Sequence, residues 1–578
     1  MGKLYPQLIT DAANEGKHIR LIGDNLNISV GTSHESSTNH RHMEHMFTST
    51  CLVNDHDFIG KPEVPEINLE DLSIEQLLLS KEEYCQIRTD ITYMVTKTIS
   101  KYLPHLNMLQ KFIPNTVIPE GEFNKTKKTV TIPLPCLPFN EQKYQDDVQI
   151  LDWYQALFEK VIDNSTLAQD TKFQIGGDQL TRERLSEALL LRLDNLEPHD
   201  RFANIGRVTA EFFHLSMNLL EKGCFGELWS KEEDVELGTM RGECERVSRK
   251  EVDPNVMKAY DEDKRFAMNY LDSVTVEAAL DFFDMENFNS IPNKLPPKDN
   301  ALDWIKENIG KMVDKYVFPA WSGETQQTLL TEENKETHET LELKLADGSK
   351  VKIPIGKGKH ITARSPQPDK VKDYMHLSME ILMIFKYMQE LLKMPDRDRF
   401  LALLKMILII LKGHSNKAKY PREILRMLIQ QYSVMGLREA CMVFQACFVN
   451  TKGKVDSHVP ADLVQEWNVK ESKLHIKHMF SNKNDKNIVN KTAALPLIHC
   501  IAENMDNEIG TIVRSKRHKK KDSDDDELLM IEDFRHIRPF QHKEGRFFKG
   551  FKNVKRSMIE KVDGFNLRQW FEVNKYSF

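Results

Sequence analysis

Two aspartates carry the chemical signal of this sequence: Asp24 in GDNLN and Asp178 in GGDQLT, each preceded by glycine and each closing an apolar run that reads as a strand. Strand ends on a sheet scaffold can hold carboxylates from distant parts of a chain within a few ångströms, and neighbouring glycines let a phosphate backbone come close. Two such carboxylates with a third from a helix are what a paired magnesium site needs, because hard cations take oxygen ligands and leave positions for water and substrate phosphate. One metal then activates the attacking water or hydroxyl, and the other stabilises the leaving oxygen. The same residues also suit plain Asx turns after strands, a reading that stays open at this point.

The elements that must position these groups follow from periodicity. Residues 18–30 (HIRLIGDNLNISV) alternate as a strand broken by a polar bend at Asp24-Asn25, and residues 46–53 suit a neighbouring strand joined by a long polar connection into an antiparallel hairpin. Residues 73–110 carry a helical apolar stripe, 127–134 alternate as a strand, and 148–162 read as a helix. KFQI at 172–175 forms a short strand running into Gly176-Gly177-Asp178, with a helix beginning at once and capped by Thr181. Helices are also expected at 205–222 and 263–284.

Farther on, TLELKLADGSKVKIPI places two alternating runs around Asp347-Gly348, a hairpin signal within a polar insert. Almost everything from 370 to 505 is helical, in segments 371–392, 396–412, 420–430, 434–448 and 460–479. The tail switches to a basic run, Arg514 to Lys521, followed by acids from Asp522 to Glu527.

The composition sets limits on function. The chain has 578 residues, 40% hydrophobic and 29% charged, as in ordinary folded proteins, and its 80 Lys plus Arg against 87 Asp plus Glu give a net charge of −7. Any contact with a polyanion must therefore be local. The eight cysteines show no CxxC pair, so they are expected to be reduced thiols. The N-terminus lacks a secretory pattern, and the most apolar run, residues 400–411, is interrupted by Lys405 and is shorter than a membrane span. Dinucleotide, phosphate-loop and GxSxG motifs are absent from the sequence.

The pieces GDNLNISVGTSHESSTNHRHMEH, GGDQLTRERL with FFHLSMNLL, NKAKYPREILRML, FVNTKGK and VPADLVQEW together resemble an uncharacterised domain-of-unknown-function family. That family is abundant in transposon-rich eukaryotic genomes and is similar to transposases with the RNase H-like fold. The resemblance covers most of residues 18–505 and the closing segment to Trp570. It implies an α/β fold: an RNase H-like mixed sheet core with large helical insertions and a predominantly helical C-terminal half.

The expected division is 1–60 for the first strands, 61–170 for a mainly helical insertion, 171–320 for the rest of the core, 321–370 for the polar insert and 371–510 for the helical region. A charged disordered linker at 511–530 and a C-terminal segment at 531–578 complete it. The implied ancestral reaction is metal-dependent DNA phosphodiester cleavage and strand transfer with Mg2+ or Mn2+. A domesticated, non-catalytic nucleic-acid-binding protein or scaffold is the alternative. DNA is the implied partner, and the implied location is nuclear or cytoplasmic rather than secreted.

Carried over by position, Asp24 is the first acid, on the opening strand, and Asp178 the second, on the strand before a helix. Glu423 is the third, in the family's Tyr-x-x-Glu pattern, and all three would be catalytic metal ligands. Asp462 and Glu466, at i, i+4 spacing, are the rival source of the third acid. His34, His40, His42 and His45 read as a solvated loop or, alternatively, a transition-metal cluster. His214 reads as a hydrogen-bonded core histidine, with a role near the site as the resemblance's alternative. RSKRHKKK suits nuclear import or phosphate contact, and RFFKGFKNVKR at 546–556 suits base stacking or packing onto the body.

Overall fold

The structure is a computed structural model. It describes the chain except for residues 1–3, 32–35, 38–39, 56–57, 124–125, 298, 322–339, 345–349, 355–366, 416–418, 480–481, 511–522 and 577–578. Helix α1 (Tyr5–Asn14) leads into β1 (His18–Val30), which pairs antiparallel with β2 (His42–Asn54) over its whole length. The polar bend expected at Asp24-Asn25 is absent: Asp24 lies opposite Thr48 and Asn25 opposite Phe47 within one continuous strand. An unbroken partner strand satisfies the backbone there, so the polar side chains need no turn.

β3 (Val130–Pro133) joins the outer edge of β2 antiparallel. On the other side of β1, β4 (Phe173–Gly177) and β5 (Ile205–Ala210) add parallel strands, giving the order β3-β2-β1-β4-β5. β5 falls where a helix was expected from residue 205. Val208 and Thr209 are β-branched and pair with Ile175 and Gly176, and the helical spacing takes hold only in α5 (Phe212–Asn218).

Side chains alternate between the two sheet faces. Ile19 and Leu21 of β1 join Phe173 and Ile175 of β4 in a core under α1 and α3 (Tyr144–Asp163). On the opposite face, Ile22 and Leu52 pack under Ala461 and Val464, while Leu26 and Met46 pack with Val469 and Ile476. These last partners belong to the helix Ala461–Lys477, so the sheet is covered on both sides.

The remaining helices, including α2 (Lys81–Tyr102), Tyr260–Phe282, Lys370–Lys393 and Arg397–His414, share a second and larger apolar core. Arg397–His414 holds the most apolar run, with the Lys405 ammonium 2.7 Å from Glu83. Among the described residues no helix is long and apolar enough to cross a membrane. All eight cysteines are free thiols.

β6 (Thr340–Lys344) and β7 (Lys350–Pro354) form the expected antiparallel hairpin, whose Asp347-Gly348 turn lies outside the described residues, as does the basic run at 514–521. The linker expected to run to 530 needs correction. Its acidic half opens the helix Asp524–Ile537, where Asp524 and Glu527 meet Lys101 at 2.6 and 3.0 Å and Asp526 pairs with Arg249. Acids suit a first helical turn, and Met530, Ile531 and Phe534 supply the buried anchors that the charge pattern concealed.

One ion pair crosses the sheet interior. Arg20 on β1 is fully buried, pairs with Glu211 just after β5, meets the Thr209 hydroxyl and donates to the Ala446 carbonyl at 2.8 Å. To do so it passes over Gly176 of β4, where any Cβ would run into the Glu211 carboxylate and the Arg20 guanidinium. Gly176→Ala is therefore expected to lower stability on the scale of breaking a buried pair, about 3–5 kcal/mol. Gly31→Ala, with no neighbour within 4 Å among the described residues, should leave the melting temperature nearly unchanged. Equal melting temperatures for the two variants would contradict this assignment.

Candidate active site

β1 and β4 run parallel with Arg20 opposite Gln174 and Ile22 opposite Gly176. Two residues farther along each chain the same register leads to Asp24 and Asp178, and a period of two puts both on the face that carries Arg20, Ile22 and Leu26. Asp178 lies one residue past β4 and is itself the N-cap of α4 (Gln179–Leu190), its Oδ1 accepting from the Thr181 amide at 2.7 Å. Thr181, expected as the cap, instead occupies the position whose amide a cap satisfies.

The flanking glycines are filled by protein rather than left open for phosphate. A Cβ on Gly177 would lie 2.7 Å from Thr181 Cγ2, and one on Gly23 would strike the Phe47 ring. Glu141, unremarkable in sequence because it falls in an irregular loop, ties the two aspartate-bearing segments together. Its carboxylate accepts from Asn25 Nδ2 at 3.0 Å and from the Thr181 hydroxyl at 2.8 Å.

The helix Ala461–Lys477 brings two more acids over this face. Asp462 is committed: it accepts from the backbone amides of Phe213 and His214 and from His214 Nδ1, each at 3.0 Å. Glu466, one turn on and 30% exposed, stands 3.8 Å from His214 Nε2. Burial holds the Asp24 carboxyl well above its usual range, and Asp178, Glu466 and Glu141 add to the rise while His214 opposes it. Burial alone would lower His214, but its bond to Asp462 and the charges of Asp462, Asp178 and Asp24 push it up to about 9. His214 is thus a cation within the acid cluster, and Arg184 stands 3.7 Å from Glu141.

Glu423 has a different setting. It is buried on the helix Tyr420–Ile429 and paired with Arg182 of α4, and the charges acting on it are those of Arg182, Arg426 and Glu183. Tyr420, one turn before it, feels both Asp178 and Glu423, so the two neighbourhoods adjoin along α4. The third acid expected at Glu423 thus lies in a basic surrounding, whereas its rival Glu466 acts directly on Asp24.

The donor set suits a hard cation in kind. Asp24 accepts from the Asn25 amide and Asp178 from the Thr181 amide, both at 2.7 Å, and neither has a further hydrogen-bond partner among the described residues. Oxygen is therefore left over in a crowded acidic setting that a divalent ion would relieve. Among the described residues no group of three or more His, Cys, Asp or Glu side chains is placed to hold a metal ion as it stands.

The exposed His42 meets Glu44 at 2.9 Å and the half-buried His45 meets Asn27 at 2.7 Å, while His34 lies outside the described residues. In the segment 546–556, Phe551 is buried against Tyr374 and Arg546 is buried against Asp369, which leaves Phe547 and Phe548 exposed.

The fold and site define a mixed α/β protein with a crowded carboxylate cluster on its central strands. The chain belongs to the family of unknown function DUF6589, which matches residues 68–518; Asp178, His214, Glu423 and Glu466 fall inside that match and Asp24 before it. No curated protein and no solved structure matches the chain.

The His214 geometry predicts a pH dependence. Its folded pKa lies above the ordinary 6.5, so its contribution to stability is complete below about pH 6.5 and is lost as pH rises through about 9. Thermal melts from pH 6 to 10 should show a decline that His214→Gln flattens; parallel curves for the two proteins would refute the pairing.

Proposed function

We propose that the protein is a transposase-like phosphodiester-cleaving enzyme with an RNase H-like core, acting on DNA with Mg2+ or Mn2+. The observation that carries this reading is the placement of Asp24 and Asp178 two residues beyond the paired Ile22 and Gly176 of parallel strands, in a setting where burial first, and then the charges of Asp178, Glu466 and Glu141, raise Asp24. Asp24 and Asp178 would hold the cation, and Glu466 is the third acid in this reading, because its charge acts on Asp24 while Glu423 is tied to Arg182.

When bound, a divalent cation supplies activation of the attacking water or hydroxyl and stabilisation of the leaving oxygen. The protein's own groups orient and protonate. Asp462 fixes the tautomer and direction of His214 through Nδ1, leaving Nε2 as a protonated donor beside the acids, placed to give its proton to a leaving alkoxide. Glu141 keeps the two aspartate-bearing segments from separating.

The alternative, a domesticated non-catalytic nucleic-acid-binding protein or scaffold, is favoured by one observation: among the described residues no three acids, histidines or cysteines are placed to hold a metal ion as they stand. Cleavage of a labelled DNA duplex with Mg2+ or Mn2+ separates the two. Asp24→Asn and Asp178→Asn should each reduce cleavage by more than the roughly 10- to 100-fold that loss of an outer partner costs, with Glu466→Gln comparable and Glu423→Gln milder. Asp24→Asn should also raise the melting temperature of the metal-free protein, since it removes a crowded carboxylate. Full inactivation by Glu423→Gln with an active Glu466→Gln would return the third acid to Glu423. A wild-type protein inert with both metals would favour the scaffold.

A further inference from the structure

One turn along α4 from Asp178, the chain builds a second polar site of opposite sign. A cavity of about 470 Å³ is lined by Arg182, Arg207, Arg422 and Arg426 together with Glu423. Arg182 is 5% exposed and, although it reaches Glu423 through one Nη, its Nε has no hydrogen-bond partner. The Nε of Arg426 and of Arg207 are also buried and without a hydrogen-bond partner, the latter 3.5 Å from Glu439.

Buried guanidinium N–H groups are costly to leave unsatisfied. The other carboxylates on the lining are engaged at its rim, Glu187 by the Tyr144 hydroxyl at 2.6 Å and Glu183 by Gln179 at 3.1 Å. One buried carboxylate, Glu423, therefore faces Arg182, Arg207 and Arg426. The crowding registers on Arg426, which burial and then the charge of Arg182 push down to about 10.

A fork of guanidinium donors without enough acceptors is matched by a tetrahedral oxyanion, because Arg and phosphate bond through paired, charge-assisted N–H···O contacts. We propose that the cavity lined by Arg182, Arg207 and Arg426 binds a phosphate group, and that in the working protein this is a backbone phosphate of the nucleic-acid strand presented to Asp24 and Asp178. The second half rests on the cleavage reading above. One helical turn from Asp178 to Arg182 is about 5.4 Å, on the order of one or two nucleotide steps at about 3.4 Å each. A strand whose scissile phosphate lay at the acids would place a flanking phosphate among the arginines, and these contacts would fix its register without reading its sequence.

The test uses the full chain in EDTA, so that cleavage plays no part. Binding of a fluorescently labelled single-stranded oligonucleotide is followed by anisotropy across a salt series, and binding of inorganic phosphate by thermal shift. Arg426→Ala and Arg207→Ala should each weaken oligonucleotide binding about tenfold and reduce the slope of log K against log salt by about one. They should also diminish the phosphate shift. Arg426→Lys, which keeps the charge but loses the paired donors, should fall between the wild type and Arg426→Ala and guards against misfolding as the cause. Glu423→Gln should bind phosphate at least as tightly as the wild type, because it removes the buried carboxylate that competes for Arg182.

Arginine-dependent binding of inorganic phosphate without arginine-dependent binding of the oligonucleotide would overturn the strand assignment. Binding of both probes unchanged in the arginine variants would overturn the site. If the variants lose binding while the wild type cleaves no DNA with metal, the cleavage reading falls and the phosphate site stands.

Discussion

Everything distinctive in this structure depends on the parallel pairing of β1 with β4. The two strands come from residues about 150 positions apart in sequence, and their register decides whether Asp24 and Asp178 meet or miss. The register is secured on the same face by the Arg20–Glu211 pair, which links β1 to the end of β5 across the space that Gly176 leaves empty. It is secured from the side by Glu141, which bonds to Asn25 next to one aspartate and to Thr181 beyond the other. A shift of one residue would bury the wrong faces of both strands and detach both clamps.

On that scaffold the charges are sorted rather than mixed. Acids gather where β1, β4 and the helix Ala461–Lys477 meet, with His214 as a counter-ion, while arginines gather one turn along α4 around Glu423. Each cluster is unfavourable alone, since like charges in a partly dry setting repel strongly. Such arrangements are kept at functional sites, where a ligand of opposite sign relieves the repulsion that folding left in place. The helix α4 joins the two: its N-cap is an acid of the first cluster and its second turn begins the other.

Much of the architecture was legible in the sequence because it rests on local rules. Alternation disclosed β1, β2 and the β6–β7 hairpin, and apolar stripes disclosed the helices from Lys370 to Lys477 within a few residues. Asp24 and Asp178 were visible as acids on strands, although Asp24 proved to lie mid-strand and Asp178 to cap α4. What local rules could not supply came from distant pairing. β5 looked helical because its strand character depends on β4, and the acidic tail looked solvated because Lys101 and Arg249, its partners, lie hundreds of residues away. The choice between Glu423 and Glu466 was equally closed to sequence, since both sit on good helices and only the tertiary setting makes one neighbour arginine and the other Asp24.

The central claim is that Asp24 and Asp178 share a divalent cation. Calorimetric titration of the metal-free protein with Mn2+ tests it without any assumption about substrate. The account predicts saturable Mn2+ binding that is lost in both Asp24→Asn and Asp178→Asn, while the folded state persists by circular dichroism. Mn2+ binding that survives unchanged in both variants, or is absent from the wild type, would contradict it.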